Sequence, residues 1–297
     1  MDALAHRIAN LLVGNAETAA ALECTLLGPA LEFVEESVVA LGGGDLGATL
    51  EGRTVPLWTP FIVPAGSVLS FTEPRTGCRA CIGVAGGIDV PLVLGSRATD
   101  LIASIGGHEG RALAAGDELP TGAPGGAADR MRDRLLAAPD RAPRAGRSLI
   151  PRYSAAPVVR IIRGPEHDRF SPASRQLLVA GEFEVTPQSN RMGLRLRGPS
   201  LSLSGLYDLH SSPVTMGTVQ VPPSGDPIVL MADHQTIGGY PRIASVITVD
   251  LPLLAQAAPG ARVRFREVSL ADAQTLYLRR EHDLRMFATG LHVLHTA

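Results

Sequence analysis

Leu4, Ile8, Leu11 and Leu12 recur at helical spacing and predict a helix over 2–15, opened by Asp2 as cap and closed by Gly14–Asn15. A short helical turn is predicted over 17–24. The pattern then changes to short apolar or alternating runs at 31–35, 37–41, 48–50, 61–63, 68–72 and 79–84. Gly, Pro and Asn/Asp clusters separate them, among them GGGD at 42–45 and PAG at 64–66. Many short strands at this spacing predict a barrel or sandwich rather than a parallel α/β sheet.

From 121 to 151 the chain becomes rich in Ala, Pro, Gly and Arg, which predicts a linker with one helical turn around 130–137. Strand patterns resume at 158–163, 183–185, 191–196, 214–221, 227–231 and 244–249, with the turn signal PPSGDP at 222–227. A helical segment is expected at 250–256 and a strand at 262–267. Ser269 and Asp272 form a capping-box-like start for a helix reaching about 286. The expected organisation is mainly β with a few helices: an N-terminal lobe over 1–120, a linker over 121–151 and a C-terminal lobe over 152–297. No repeat at a fixed short period is visible.

Composition narrows the function classes. With 297 residues, 45% of them hydrophobic, a packed core is expected. A net charge of −2 argues against a nucleic-acid protein. No apolar run reaches the roughly 18 residues of a membrane span. The opening MDALAHRIAN lacks a cationic segment followed by an apolar core, so a cytoplasmic location is expected. All 27 basic residues are arginine. The absence of lysine excludes a Schiff-base lysine and a Walker-type phosphate lysine. Cys78 and Cys81 form a C-x-x-C, but in an apolar, strand-like run where the two side chains point to opposite faces. A redox pair wants a helix N-terminus and a zinc site wants a second pair, so buried structural cysteine is the better reading, and no metal site is expected.

The strongest candidate for chemistry is MADHQTIGGYPRI at 231–243. Polar residues follow the apolar run PIVLMA, and two glycines let backbone approach a ligand. Asp233 can serve as general base or orienting acceptor. Gln235 and Thr236 can hydrogen-bond a carbonyl, amide or carboxylate, and Tyr240 offers a ring face and a donor. An ordinary satisfied turn weighs about equally on local grounds. A second candidate is the loop 188–193, where Asn190 and Arg191 can bind a carboxylate or phosphate. A third is His108 in GGHEGR together with Gly86–Gly87, whose N–H groups can cradle an anion, although the spacing matches no dinucleotide or P-loop motif. No G-x-S-x-G supports a nucleophile-elbow hydrolase.

Several stretches taken together resemble the KipA family, also described as allophanate hydrolase subunit 2 or as a carboxyltransferase-like 5-oxoprolinase subunit. They are RIANLLVGN (7–15), LECTLLGPALEF (22–33), CRACIGVAGGIDVPLVLGSRATD (78–100), GGHEGRALAAGDEL (106–119), SNRMGLRLRGP (189–199), the long block at 211–256, and FREVSLADAQ (265–274). The resemblance implies a pair of cyclophilin-like β-barrel lobes, and a KipI-like partner joined in many stand-alone pairs by a LamB-like subunit. It also implies a strand and Gly-rich motif ahead of Met1-Asp2. The family's "ADRQT" form has arginine where this chain has His234.

Three functions follow from that resemblance. The first is a subunit of a 5-oxoprolinase that opens the lactam of 5-oxoproline to glutamate with ATP, shared with the partner subunit. Phosphate charge would then fall to arginines such as Arg191 and Arg242, or to N–H groups at Gly238–Gly239. Catalytic roles would go to Asp233, Gln235 and Tyr240, and substrate binding to Asn190, Arg191, Thr236, Gly238 and Gly239. The second is a biotin-dependent carboxyltransferase half acting on urea or a similar amide, with biotin carried by another protein. The third is a non-enzymatic antagonist of a KipI-like kinase inhibitor. They are ranked in that order.

Overall fold

The computed structural model describes residues 1–205 and 209–296. Two compact units are formed, one from 2–150 with 283–297 and one from Met1 with 151–282.

The N-terminal lobe opens with helix α1, Ala3–Leu12. The Asp2 carboxylate caps it, accepting from the Ala5 N–H at 3.0 Å, as its place in the sequence suggests. Eight strands follow: β1 Leu22–Thr25, β2 Leu31–Glu32, β3 Ser37–Asp45, β4 Ala48–Leu50, β5 Arg53–Thr54, β6 Pro60–Val63, β7 Val68–Phe71 and β8 Thr76–Val84. They make two antiparallel sheets, ordered β1-β8-β3-β6 and β2-β7-β4-β5. Val39, Leu41, Ile82 and Val84 of the first sheet share a core with Ala48 and Leu69 of the second.

Three expectations need correction here. Residues 17–24 form no helix: β1 starts at Leu22 and pairs with β8, so partner strands override a weak local preference. GGGD does not end a strand, because β3 runs through it. Glycine is what the site requires: a Cβ at Gly42 would lie 2.7 Å from the Ala5 carbonyl oxygen, and one at Gly83 would lie 2.9 Å from that of Ala9. The α1 backbone thus rests on the glycine track. Finally, 121–151 packs into the lobe and is not a free linker, although the helical turn expected at 130–137 is present. Helix α2, Gly126–Ala137, buries Ala128, Met131 and Leu135, and the Ala145 N–H donates to the Trp58 carbonyl at 3.0 Å.

The second unit is a closed barrel. Its elements are β9 Val158–Arg163, α3 Pro172–Ala180, β10 Phe183–Val185, β11 Gly193–Arg197, β12 Ser212–Pro213, β13 Thr218–Gln220, β14 Ile228–Leu230, β15 Ile237–Gly238, β16 Arg242–Val246, α4 Leu251–Ala255, β17 Arg262–Glu267 and the first part of α5, Leu270–Thr296. Seven strands close in the order β10-β11-β14-β13-β16-β9-β17, with β17 returning to β10. All pairs are antiparallel except β17 with β9. Alternate residues fill the interior, among them Val159, Ile161, Val219, Val229 and Val263; Phe183 and Phe265 meet with ring centroids 5.6 Å apart. Closure removes the sheet edges that short strands otherwise leave open.

Helix α3 lies outside the predicted elements, although Ser171-Pro172 is a start signal: the Ser171 hydroxyl accepts from the Ser174 N–H at 3.1 Å. Strand 214–221 is shorter than expected, and only Thr218–Gln220 pair in the barrel. The capping box of α5 forms: the Asp272 N–H donates to the Ser269 hydroxyl at 3.0 Å, and the Asp272 carboxylate accepts from the Ser269 N–H at 3.3 Å. The helix continues to Thr296, past the expected end near 286.

Candidate functional site

The two best sequence candidates meet. Antiparallel pairing of β11 with β14 brings the residues before β11 beside those after β14. There the Arg191 guanidinium donates to both Asp233 oxygens, Nε to Oδ2 at 2.7 Å and NH2 to Oδ1 at 3.1 Å. Backbone bonds lock the same junction: the Asp233 N–H donates to the Arg191 carbonyl at 2.9 Å and the Met231 N–H to that of Met192 at 3.0 Å. The side chains are about a quarter to a third exposed. Of the two roles open to Asp233, this geometry is that of the orienting acceptor. Asn190 turns inward on its own loop, its carbonyl oxygen accepting from the Met192 and Gly193 N–H groups at 2.8 and 3.3 Å. It shapes the loop that presents Arg191.

Residues 234–240 form a flap. β15 pairs with β12, Ser212 opposite Gly238 and Pro213 opposite Ile237, and the Val214 N–H donates to the Thr236 carbonyl at 3.0 Å. Gln235, Thr236, Gly239 and Tyr240 are exposed along it, while Gly238 is buried. Tyr240 and Ile237 are 43% and 58% exposed, apolar surface on a flap that the barrel core does not use. His234 Nδ1 lies 2.5 Å from the Gln235 carbonyl.

Arg242 anchors this flap. It binds Glu166 through Nε and NH2 at 2.8 and 2.6 Å and through its backbone N–H at 2.9 Å, while NH1 donates to the Pro213 carbonyl at 3.1 Å. Arg191 and Arg242 therefore each face a carboxylate. Any phosphate charge they were expected to meet would compete with Asp233 and Glu166, which already match their positive charge.

Sequence reading missed two further groups. Gln220 is 4% exposed, yet its Oε1 has no hydrogen-bond partner among the described residues; the Ser212 hydroxyl is likewise buried and unpartnered. Both adjoin Gly238. Ser212 is its cross-strand neighbour, and a Cβ at 238 would lie 3.2 Å from Gln220 Oε1, 3.1 Å from Val214 Cγ1 and 3.7 Å from Gln235 Nε2. Buried polar atoms without partners cost free energy unless water or ligand completes them. The available signal was Gln220 itself, a lone amide in the apolar run TVQV.

In the third sequence candidate, in the N-terminal lobe, the Gly86 and Gly87 N–H groups expected to cradle an anion are already engaged. The Gly86 N–H donates to Asn15 Oδ1 at 2.9 Å, the Gly87 N–H donates to the Val84 carbonyl at 2.8 Å, and a Cβ at Gly86 would lie 1.9 Å from the Gly122 carbonyl oxygen. These glycines serve packing. His108 lies 3.7 Å from Asp117, which Arg111 grips at 2.7 and 2.8 Å. Cys24, Cys78 and Cys81 are free and buried. Among the described residues no group of three or more His, Cys, Asp or Glu side chains is placed to hold a metal, and no helix is long and apolar enough to cross a membrane.

Comparison with known proteins places this architecture. Residues 1–267 match the model of the carboxyltransferase domain, subdomain A and B, and the chain belongs to that family. A 5-oxoprolinase subunit of Escherichia coli (strain K12) is 40% identical over 294 residues, covering 98% of this chain and 89% of the relative. The protein of the same name from Haemophilus influenzae is 37% identical over 281 residues, 95% of this chain and 85% of that one. Among solved structures, the Kluyveromyces lactis urea carboxylase superposes with a TM-score of 0.86 at 29% identity, over 97% of this chain but 26% of that enzyme. The chain thus has the cyclophilin-like carboxyltransferase fold and spans about a quarter of that urea carboxylase.

Proposed function

We propose that this chain is a subunit of an ATP-dependent 5-oxoprolinase, acting with a KipI-like partner and a LamB-like subunit in the opening of 5-oxoproline to glutamate. The observation that carries the reading is the near full-length similarity, 40% identity over 98% of the chain, to a protein named as a 5-oxoprolinase subunit.

The site chemistry is consistent with a small cyclic amide. A lactam presents one N–H donor and one carbonyl acceptor. Gln220 Oε1 and the Ser212 hydroxyl need partners beneath Gly238, and Gln235 and Thr236 can donate from the flap. Asp233 holds Arg191 in a fixed bidentate orientation, so the pair can position substrate without adding net charge. The flap side chains, Tyr240 included, would cover the ligand and exclude water. ATP supplies activation of the lactam carbonyl by phosphorylation of its oxygen. Because Arg191 and Arg242 already face carboxylates, the residues of this chain that would meet a phosphoryl group are the backbone donors at Gly238–Gly239, with the remaining cations supplied by the partner.

A second reading is favoured by the urea carboxylase likeness: a carboxyltransferase half-site for urea or a similar amide. With no lysine in the chain, biotin would have to arrive on another protein. One assay separates the two. The chain is mixed with its partner subunits and offered either 5-oxoproline with ATP, or urea with a carboxylated biotin carrier. Glutamate in the first mixture supports the oxoprolinase reading; carboxylated urea in the second, with no glutamate in the first, replaces it.

A further inference from the structure

We propose that the outer wall of the barrel carries a second binding site, for a protonated oxyanion of phosphate size, between β11 and the turn at 222–228. A cleft of about 200 Å³ lies there, lined among others by Thr186, Gln188, Arg195, Arg197, Ser224 and Asp226. It is at the end of β11 remote from Arg191.

Arg195 and Arg197 are two apart on β11, with Leu194 and Leu196 buried between and beside them, so both guanidinium groups stand on the outer face. Among the described residues neither has an ion pair or side-chain hydrogen bond. Other barrel strands pair most of their arginines: Arg160 holds Asp250, Arg163 holds Glu267, Arg242 holds Glu166, and Arg262 and Arg264 share Glu182, while Arg266 has no ion pair among the described residues. Glu184 is the cross-strand neighbour of Arg197, but it is also that of Arg262, and no ion pair joins it to Arg197. Two cations without an ion pair on one small cleft, against the single Asp226 carboxylate in its lining, are an anion-binding arrangement.

The floor adds an independent observation. Thr186 is 7% exposed, and its hydroxyl is buried with no partner among the described residues. Its own N–H donates to the Arg195 carbonyl at 2.9 Å, which fixes it beside that arginine. Its oxygen is shielded from solvent, so a ligand oxygen in the cleft would complete it through a turn of the threonine side chain.

Asp226 sets the selectivity. It lines the opposite wall, where its N–H donates to the Ser224 hydroxyl at 3.4 Å. A carboxylate repels an anion that is acceptor only. It accepts a hydrogen bond from one that keeps a proton, as hydrogen phosphate does and sulfate does not. The cleft volume is below the roughly 300 Å³ at which pockets take drug-sized molecules, so the occupant is a phosphate-sized group and not a nucleotide. The site does not depend on the reaction proposed above.

Titration calorimetry of the intact chain with inorganic phosphate, in a buffer free of oxyanions, tests it. Expected is one phosphate per chain, with sulfate binding at least about tenfold weaker. R195Q and R197Q should each weaken phosphate by about tenfold or more, and T186V, which removes the hydroxyl at nearly constant shape, by several-fold. D226N should narrow the preference over sulfate. Circular dichroism melts of the variants show that each is folded. No phosphate binding to the wild-type chain, binding unchanged in R195Q and R197Q, or equal affinity for phosphate and sulfate would each overturn the proposal.

Discussion

Asp233 and Arg191 lie 42 positions apart and face each other through two charge-assisted hydrogen bonds, at 2.7 and 3.1 Å. Arg191 precedes β11, Asp233 follows β14, and the β11–β14 ladder supplies the meeting. The pair makes a charge-neutral corner just ahead of the flap residues 234–240.

That relationship has a direct consequence. R191K keeps the charge but loses the fork that spans both oxygens. R191K and D233N are each expected to cost about 1 kcal/mol of stability, discounted for partial exposure, and to lower turnover of the assembled complex by about tenfold or more. The double variant should cost less than the sum of the two. Denaturant midpoints and steady-state rates check this; additive losses would mean that the two residues act independently.

Gly238 gives a steric test of the flap. G238A places a methyl 3.1 Å from Val214 Cγ1 and 3.2 Å from Gln220 Oε1, contacts that need a shift of a few tenths of an ångström. The variant should fold normally and raise KM more than it lowers kcat. An unchanged KM would remove the flap from substrate binding.

Gly83 tests the fold instead. G83A sets a methyl against rigid backbone, 2.9 Å from the Ala9 carbonyl oxygen, with no flexible side chain to give way. A loss of about 1–3 kcal/mol is expected, read as a fall in Tm. G52A is the control, because nothing lies within 4 Å of a Cβ there, although its φ of +76° brings some strain.

How much of this was legible from the sequence differs by element. Helix α1, the alternating strands of the barrel and the Ser269–Asp272 cap follow local rules, since their periodicity and capping chemistry lie within a few residues. The glycines of β3 misled because Gly42 meets a close approach by α1, which no local pattern encodes. The segment 121–151 misled because Ala-, Pro- and Arg-rich composition resembles a linker, while Ala128, Met131 and Leu135 find a surface only in the folded lobe. In the candidate site, Asp233 and Arg191 were visible as residue types. Their pairing was not, because it depends on strand register. Gln220 and Ser212 become conspicuous only when burial shows that their polar atoms lack partners. The cysteines did read correctly as buried and structural: burial, with a smaller contribution from Glu23, pushes the Cys24 thiol up to about 12, and burial also raises Cys78 and Cys81, away from the reactive thiolate form.

Stability should depend on pH through Glu166. Burial alone would raise its carboxyl, but the side-chain and backbone bonds from Arg242 outweigh it and hold the group below the ordinary value of 4.5. A carboxyl depressed in the folded state contributes stability above the unfolded value, and that contribution is lost as pH falls through the folded one. The Tm of the wild-type chain should therefore fall below about pH 4.5 more steeply than that of E166Q. Parallel curves would show that the Glu166–Arg242 pair contributes nothing.

The most direct measurement is the joint yield of glutamate and ADP from the reconstituted complex. The chain, its KipI-like and LamB-like partners, ATP and 5-oxoproline are combined, once with the wild-type chain and once with D233A. The expected result is equimolar glutamate and ADP with the wild-type chain, falling by at least about tenfold with D233A while the subunits still assemble. Equal yields with D233A would contradict the placement of the site, and no glutamate from a fully assembled wild-type complex would contradict the function.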